Sequence, residues 1–474
     1  MKRKIASLLC FLVAANALMA VDVKPTKNVI VMIPDGTSLS VLSASRWLKT
    51  YRNEGTTLNV DPYMSGTVTT FSSNAPIGDS APTTSCFMTG VPQQAGNVSI
   101  YPVADPANDL VKLNPDSAYQ PLVTILEAMQ REQAKSAGLV VTCEFPHATP
   151  ADCAAHTYNR SDYKVIAPQM AYNNLEVMFG GGNAFVTEDM KQHFKNNGTT
   201  LIQNDKQALL DFKGDKAWAL FGDKELPYDL DRDTTAVPSL AQMTAKAIDV
   251  LQQNKKGFFL MVEGSKVDWA AHANDPIAMM TEFLAFDKAV GVAMEFARRN
   301  GNTTVIVLPD HGNSGFSIGR SNLKKSYTRM TLEDLFGAVS RYKHTAEGLE
   351  KILMNTQPEN IKSVFQQYTG IELSEDEVQL LLRSKNYKAE NYMEVAKSEN
   401  MTHYITNFMN ARTAFGFTTG GHTGEEVFLA SYHPKGDVLK GNVRNTEVNN
   451  YLFKAAGLKK SLKQTTAEIY AKHT

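Results

Sequence analysis

Short, mainly apolar runs alternate along this chain with longer stretches in which apolar residues recur every three or four positions. Residues 28–33 (NVIVMI), 139–142 (LVVT), 258–262 (FFLMV) and 304–308 (TVIVL) are of the first kind. Their shortness and their content of Val, Ile, Leu and Phe predict strands buried on both faces. Residues 38–50, 121–135, 239–253 and 276–299 are of the second kind and predict intervening helices. Alternation of this sort predicts an α/β fold, a three-layer α/β/α sandwich around a mainly parallel central sheet. One long stretch breaks the rhythm. From about residue 315 to 415, strand signal nearly disappears and helical, charged sequence such as LSEDEVQLLLRSKNY takes over. It opens on Arg320, Lys324, Lys325 and Arg329 and reads as a helical insertion, either a lid over a site or a dimer contact. Most of its charges are expected on a solvated face.

Composition narrows the field without naming a function. The 474 residues suit one large enzyme domain or two to three smaller ones. A hydrophobic share of 43% with 20% charged residues excludes disorder or coiled coil for the whole chain. Lys plus Arg number 48 against 49 Asp plus Glu, so no basic excess marks a nucleic-acid partner. A mean hydropathy of −0.26 excludes a bundle of membrane spans.

The first twenty residues stand apart. Lys2, Arg3 and Lys4 precede an apolar run over residues 5–15, followed by small residues at Ala15, Ala17 and Ala20. That layout predicts a signal peptide at residues 1–20, cleaved after Ala17 or Ala20. It implies a secreted or periplasmic protein with no transmembrane segment in the mature chain, residues 21–474. Cleavage removes Cys10 and leaves Cys86, Cys143 and Cys153, too few for a disulfide framework. Cys143 and Cys153 either pair or stay as buried thiols.

Ligands of open α/β sheets collect at the carboxyl ends of the strands. The residues that follow the strand candidates therefore matter most. After the first comes Pro34-Asp35-Gly36, after FFLMV comes Glu263-Gly264-Ser265, and after TVIVL comes Pro309-Asp310-His311-Gly312. One such Asp is commonly a helix cap; three acidic strand ends with a histidine beside one of them point to a metal site. Asp268 and His272 are four apart, on one face of a helix, and Gly421-His422-Thr423-Gly424 adds a further histidine. Mixed nitrogen and oxygen donors suit zinc better than calcium or magnesium. In Gly78-Asp79-Ser80-Ala81-Pro82, Ser80 stands where a helix can begin. It either caps that helix or faces an anion there, and beside zinc its hydroxyl can ionise and attack.

The ordered motifs DSA (from Asp79), HATPA (from His147), VEGSKVDWAAH (from Val262), DHG (from Asp310) and GHTG (from Gly421), with Asp35 and Arg160, resemble the alkaline phosphatase family from Asn28 to about Tyr432. The resemblance implies hydrolysis of small-molecule phosphate monoesters through a phosphoserine on Ser80. It implies two Zn2+ and one Mg2+ per chain. Asp268, His272 and His422 would hold one zinc, and Asp35, Asp310 and His311 the second. Thr149 and Glu263 would hold the third metal, with Asp35 bridging. Arg160 would clamp the phosphate, and the working unit would be a homodimer. Six positive charges against four carboxylates leave an excess suited to a serine alkoxide and a phosphate dianion. His147 and Trp269 stand where some family members carry Asp and Lys, near the third metal and the phosphate, and an added imidazole favours transition metals there. A phosphodiesterase or sulfatase on the same scaffold is the competing reading. The Arg160 clamp disfavours it, because a diester has fewer anionic oxygens to bind. Glu144, near a strand end, matches no motif role, and His156 is expected to be structural.

Overall fold

A computed structural model describes residues 23–321, 323 and 325–470. The expected signal peptide at residues 1–20 lies outside the described residues, as does Lys324. The strands run in chain order as β1 (Asn28–Pro34), β2 (Met64–Thr69), β3 (Ser136–Glu144), β4 (Val177–Gly181), β5 (Thr200–Gln203), β6 (Ala217–Leu220), β7 (Phe258–Gly264) and β8 (Thr303–Val307). They continue as β9 (Gly312–Asn313), β10 (Ser317–Ile318), β11 (Phe415–Gly416), β12 (His422–Thr423), β13 (Val427–Tyr432) and β14 (Gly441–Arg444). Ten of them form one sheet in the order β14-β2-β13-β8-β1-β7-β3-β4-β6-β5.

The centre of that sheet is parallel because its strands are apolar on both faces. Val31 of β1 pairs with Met261 of β7 on one side and Ile306 of β8 on the other, and every residue of β1, β7 and β8 is buried. Only β13 runs against its neighbours, β2 and β8. Helices Leu39–Tyr51, Leu240–Leu251 and Pro276–Asn300 pack on one another as one layer. Helices Ser80–Thr89, Ile125–Gln133, Ala148–Ala154 and Asn445–Ala456 make the other. The result is the expected α/β/α sandwich.

Local chemistry sets the helix ends. Pro276 opens its helix at the first turn, where its missing N–H is no loss. The Asp275 side chain accepts from the amides of Ile277 and Ala278, and Gly301 closes the far end in the left-handed region. The helix expected over 121–135 is shorter, Ile125–Gln133, because Thr124 and Glu127 form a capping box and Pro121 bridges to Ile100. Strands β2, β4, β5, β6 and β14 were not legible in the pattern. Each is only four to six residues long, and all but the four-residue β6 (AWAL) contain glycine or polar residues.

Between β10 and β11, which pair with each other, the chain makes an excursion built on helices Leu332–Phe336, Ala346–Met354, Ile361–Thr369, Glu375–Ser384 and Met401–Ala411. Core carboxylates anchor it. Asp231 accepts from His344 Nδ1 at 2.9 Å and from the Thr345 amide at 3.1 Å, and Asp275 accepts from the Ala346 amide at 2.7 Å. Cys86, Cys143 and Cys153 are buried free thiols. Among the described residues, no helix is long and apolar enough to cross a membrane.

Candidate active site

Four neighbouring strands end at one place. β1 runs into Asp35, β7 ends through Glu263, β8 is followed by Asp310 and His311, and β3 leads to His147 and Thr149 at the start of helix Ala148–Ala154. The two-residue ribbon of β12 and β9 pairs His422 with Asn313 and Thr423 with Gly312, which draws the GHTG turn onto the DHG turn across more than a hundred residues. Helix Lys266–His272 carries Asp268 and His272 on one face, with the whole helix buried.

The three imidazoles are oriented alike. His272 Nδ1 faces the Gly420 carbonyl at 2.8 Å, His422 Nδ1 the Gly78 carbonyl at 3.0 Å, and His311 Nδ1 the Gly312 carbonyl at 3.1 Å. A carbonyl only accepts, so each Nδ1 carries the hydrogen and each Nε2 lone pair points inward. Those inward nitrogens meet carboxylates and one another. His272 Nε2 is 3.2 Å from His422 Nε2 and 3.4 Å from Asp268 Oδ2, and His311 Nε2 is 3.4 Å from Asp35 Oδ1 and 3.5 Å from Asp310 Oδ2. Two acceptor nitrogens at 3.2 Å have no hydrogen between them and repel unless a cation intervenes. Asn313 Nδ2 donates to Asp268 Oδ1 at 2.7 Å and fixes that carboxylate.

Donor atoms of Asp268, His272 and His422 lie within 4.8 Å of one another, as do those of Asp35, Asp268 and His311, of Asp79, His311 and His422, and of Cys143, His147 and Glu263. Of the second grouping expected from sequence, Asp35 and His311 come together with Asp268 rather than with Asp310; of the third, Glu263 comes together with Cys143 and His147 rather than with Asp35. Among the described residues, Thr149 Oγ1, Glu263 Oε1 and Asp310 Oδ2 are buried without a hydrogen-bond partner.

Electrostatics point the same way. Burial, and then the charges of Asp310, Asp268 and Glu263, push Asp35 well above the usual carboxylate range. Burial, with Asp310 adding to it, pushes Glu263 up to about 8. Burial and His311 lower His422 to about 4, and burial and Arg160 lower His147 to about 3, so both rings stay neutral ligands or acceptors. Buried carboxylates this close to inward-turned imidazole nitrogens form a donor set that suits a cation.

Ser80 is the first residue of its helix, and Asp79 holds the cap position without a side-chain bond to the helix. Ser80 Oγ faces the cluster instead, 3.3 Å from His311 Nε2 and 3.4 Å from Asp35 Oδ2. The Asp79 carboxylate turns to Arg160, whose Nη1 donates to Oδ1 at 2.6 Å. Arg160 Nη2 lies 3.5 Å from His147 Nε2.

Residues 26–458 match the family model described as alkaline phosphatase. The chain belongs to the alkaline phosphatase family. It is 33% identical over 450 residues to alkaline phosphatase 4 of Bacillus subtilis (strain 168), covering 91% of this chain and 89% of that one. To alkaline phosphatase 3 of the same organism it is 32% identical over 445 residues, covering 90% and 88%. The crystal structure of a cold-active alkaline phosphatase from a psychrophilic Shewanella sp. superimposes with a TM-score of 0.76 at 26% identity, covering 91% of this chain and 100% of that one. The Thermus thermophilus alkaline phosphatase shares the fold with a TM-score of 0.77 at 24% identity, covering 94% and 96%.

Sequence reasoning missed three residues at the site of this alkaline phosphatase family member. Asn313 adjoins the DHG motif, and that adjacency was its only signal. Asp79 was read as part of a motif rather than as the partner of Arg160. Tyr392 carried no signal at all. It comes from the insertion, its ring stacks on Trp269 at 4.5 Å and 11°, and its hydroxyl lies 3.1 Å from His147 Nε2.

Proposed function

We propose that the protein hydrolyses phosphate monoesters to an alcohol and inorganic phosphate, with Ser80 carrying the phosphoryl group between two half-reactions. The observation that carries this reading is the position of Ser80 Oγ, aimed at His311 and Asp35 from a helix N-terminus beside the Asp79–Arg160 pair. Asp268, His272 and His422 would hold one zinc ion, and Asp35, Asp310 and His311 a second. Thr149 and Glu263, with Asp35, would hold a third ion, magnesium. The inward lone pairs of three carbonyl-fixed imidazoles and the partnerless Thr149, Glu263 and Asp310 oxygens fit such ions. When bound, the ions supply positive charge that favours the serine alkoxide, the phosphate and the departing alkoxide.

The rest is the work of the chain's own groups. Arg160 offers a planar fork to two non-bridging phosphate oxygens, and Asp79 holds that fork in place. The amides at the start of helix Ser80–Thr89 add the positive end of a dipole toward the same anion. Ser80 Oγ attacks phosphorus in line with the leaving oxygen; water then attacks the phosphoserine from the vacated side and returns Ser80 to its starting state. The same reading has the protein exported after loss of residues 1–20 and working as a homodimer.

The test compares a monoester, a diester and a sulfate of one phenol. Hydrolysis of the monoester, abolished by chelation and restored by zinc with magnesium, supports the reading. Preference for the diester or the sulfate, or full activity in Ser80→Ala, overturns it.

A further inference from the structure

Strands β3 and β7 are parallel neighbours with Val140 opposite Val262, so their carboxyl ends deliver Cys143 and Glu263 to one place. Cys143 Sγ lies 3.5 Å from Glu263 Oε2. His147 follows on the turn out of β3, and donor atoms of Cys143, His147 and Glu263 lie within 4.8 Å of one another. All three residues are buried, as is Thr149 in the first turn of helix Ala148–Ala154.

Three polar atoms here have no hydrogen-bond partner among the described residues: His147 Nδ1, Thr149 Oγ1 and Glu263 Oε1. Leaving one buried polar atom unpaired is costly, and several beside one another point to a ligand that satisfies them together. The other ring nitrogen of His147, Nε2, is 3.1 Å from the Tyr392 hydroxyl. A metal-bound imidazole commonly donates its second ring hydrogen to such an oxygen, which leaves Nδ1 as the ligand atom. Arg160 Nη2 is farther from Nε2, at 3.5 Å, and Arg160 is already bonded to Asp79 through Nη1. Cys153 differs from Cys143. Its thiol donates to the Thr149 carbonyl at 3.8 Å within its own helix, and among the described residues it joins no group suited to a metal.

We propose that Cys143 is a ligand of the third ion, together with His147, Glu263 and Thr149, and that this site takes zinc or a similar transition ion in preference to magnesium. The proposal rests on the three-ion reading above and changes only the donors and the identity of that ion. Sulfur, nitrogen and oxygen together are the donor mix of zinc. Magnesium calls for an all-oxygen shell and keeps several of its waters, which a buried pocket walled by a thiol and an imidazole does not favour. The thiolate and the Glu263 carboxylate together balance a divalent charge. On binding, a sulfur–metal bond replaces the S–H bond and the proton passes to water.

The experiment titrates metal-free enzyme with cobalt(II), which replaces zinc and whose thiolate complexes absorb strongly in the near ultraviolet by sulfur-to-metal charge transfer. The unaltered protein is expected to develop that band as its sites fill. Cys86→Ser and Cys153→Ser are expected to keep the band, and Cys143→Ser to lose it. No band in the unaltered protein saturated with cobalt(II), or a band that persists in Cys143→Ser, overturns the proposal. Should Cys143→Ser fail to fold, elemental analysis of the unaltered enzyme decides instead. Equilibrated with zinc and a large excess of magnesium, it is expected to retain zinc in every metal site, and magnesium retained in stoichiometric amount overturns the proposal. Hydrolysis of an aryl phosphate is followed in the same preparations. Turnover without the band removes Cys143 from the third site and leaves the phosphomonoesterase reading standing. A band without turnover supports the Cys143 site and overturns that reading alone.

Discussion

Arg160 is tied to Asp79 by a 2.6 Å hydrogen bond, and Asp79 immediately precedes Ser80, so the anion-clamp candidate and the nucleophile candidate are set by a single carboxylate. Lysine in place of Arg160 keeps the charge but loses the fork. Arg160→Lys is therefore expected to raise both KM for an aryl phosphate and Ki for inorganic phosphate by about tenfold. Steady-state kinetics with phosphate as a product inhibitor check this, and an unchanged Ki would remove Arg160 from the phosphate.

Gly36 turns the chain directly after Asp35 with φ near +60°, and a Cβ there would collide with Asp268 Oδ1. Gly36→Ala combines backbone strain with displacement of a metal-ligand candidate. Zinc titration followed by calorimetry is expected to show weakened binding at the site of Asp268, His272 and His422, with protein that is otherwise folded by circular dichroism.

Removal of metal is expected to lower thermal stability as well as activity. Asp35, Glu263, Asp268 and Asp310 are all buried within one cluster, and without cations their mutual repulsion opposes folding. Scanning calorimetry with and without chelator should show a lower Tm in the metal-free protein that returns with zinc. An unchanged Tm would mean that these carboxylates do not hold the ions.

Away from the site, Glu127 and His156 form a buried pair at 3.2 Å, with Ser99 and Tyr470 completing the bonds of the imidazole. Burial alone would lower the His156 pKa, but the Glu127 carboxylate and the Ser99 carbonyl bring it above its ordinary value. Burial would raise Glu127, and His156 holds it below. The histidine's contribution is thus complete below its unfolded pKa near 6.5 and fades as pH rises through the elevated folded value. The glutamate's is complete above about 4.5 and fades as pH falls through its depressed value. His156→Gln is expected to destabilise by about 3 kcal/mol near pH 6, and by less as pH rises. Denaturant unfolding at several pH values measures this; a difference that grows toward alkaline pH would contradict the pairing.

Tyr392 covers Trp269 by stacking, so Tyr392→Ala is expected to expose the indole and shift its emission to longer wavelength. Tyr392→Phe should leave the emission in place and lose only the contact with His147. Identical spectra for Tyr392→Ala and the unaltered protein would remove the insertion from the site.

Local pattern carried much of this architecture. Strands β1, β7 and β8 are legible because burial on both faces gives each a run of consecutive apolar residues, and the residues at and beyond their ends are legible because strand ends of parallel sheets converge. That reasoning reaches Asp35, Glu263, Asp310 and His311 from the sequence alone. Asp268 and His272 followed from helical spacing, since four residues make one face.

Other relationships depend on contacts between distant parts of the chain. Pairing of β12 with β9 brings His422 beside His311, the turn of Asp79 away from its own helix creates the Arg160 contact, and Tyr392 meets Trp269 from 123 residues later in the chain. The strand order and the short edge strands belong to the same class. Periodicity and motif spacing report which face a residue occupies on its own element. Which element then packs against that face is set by long-range burial and hydrogen bonding, and here the tertiary structure alone decided it.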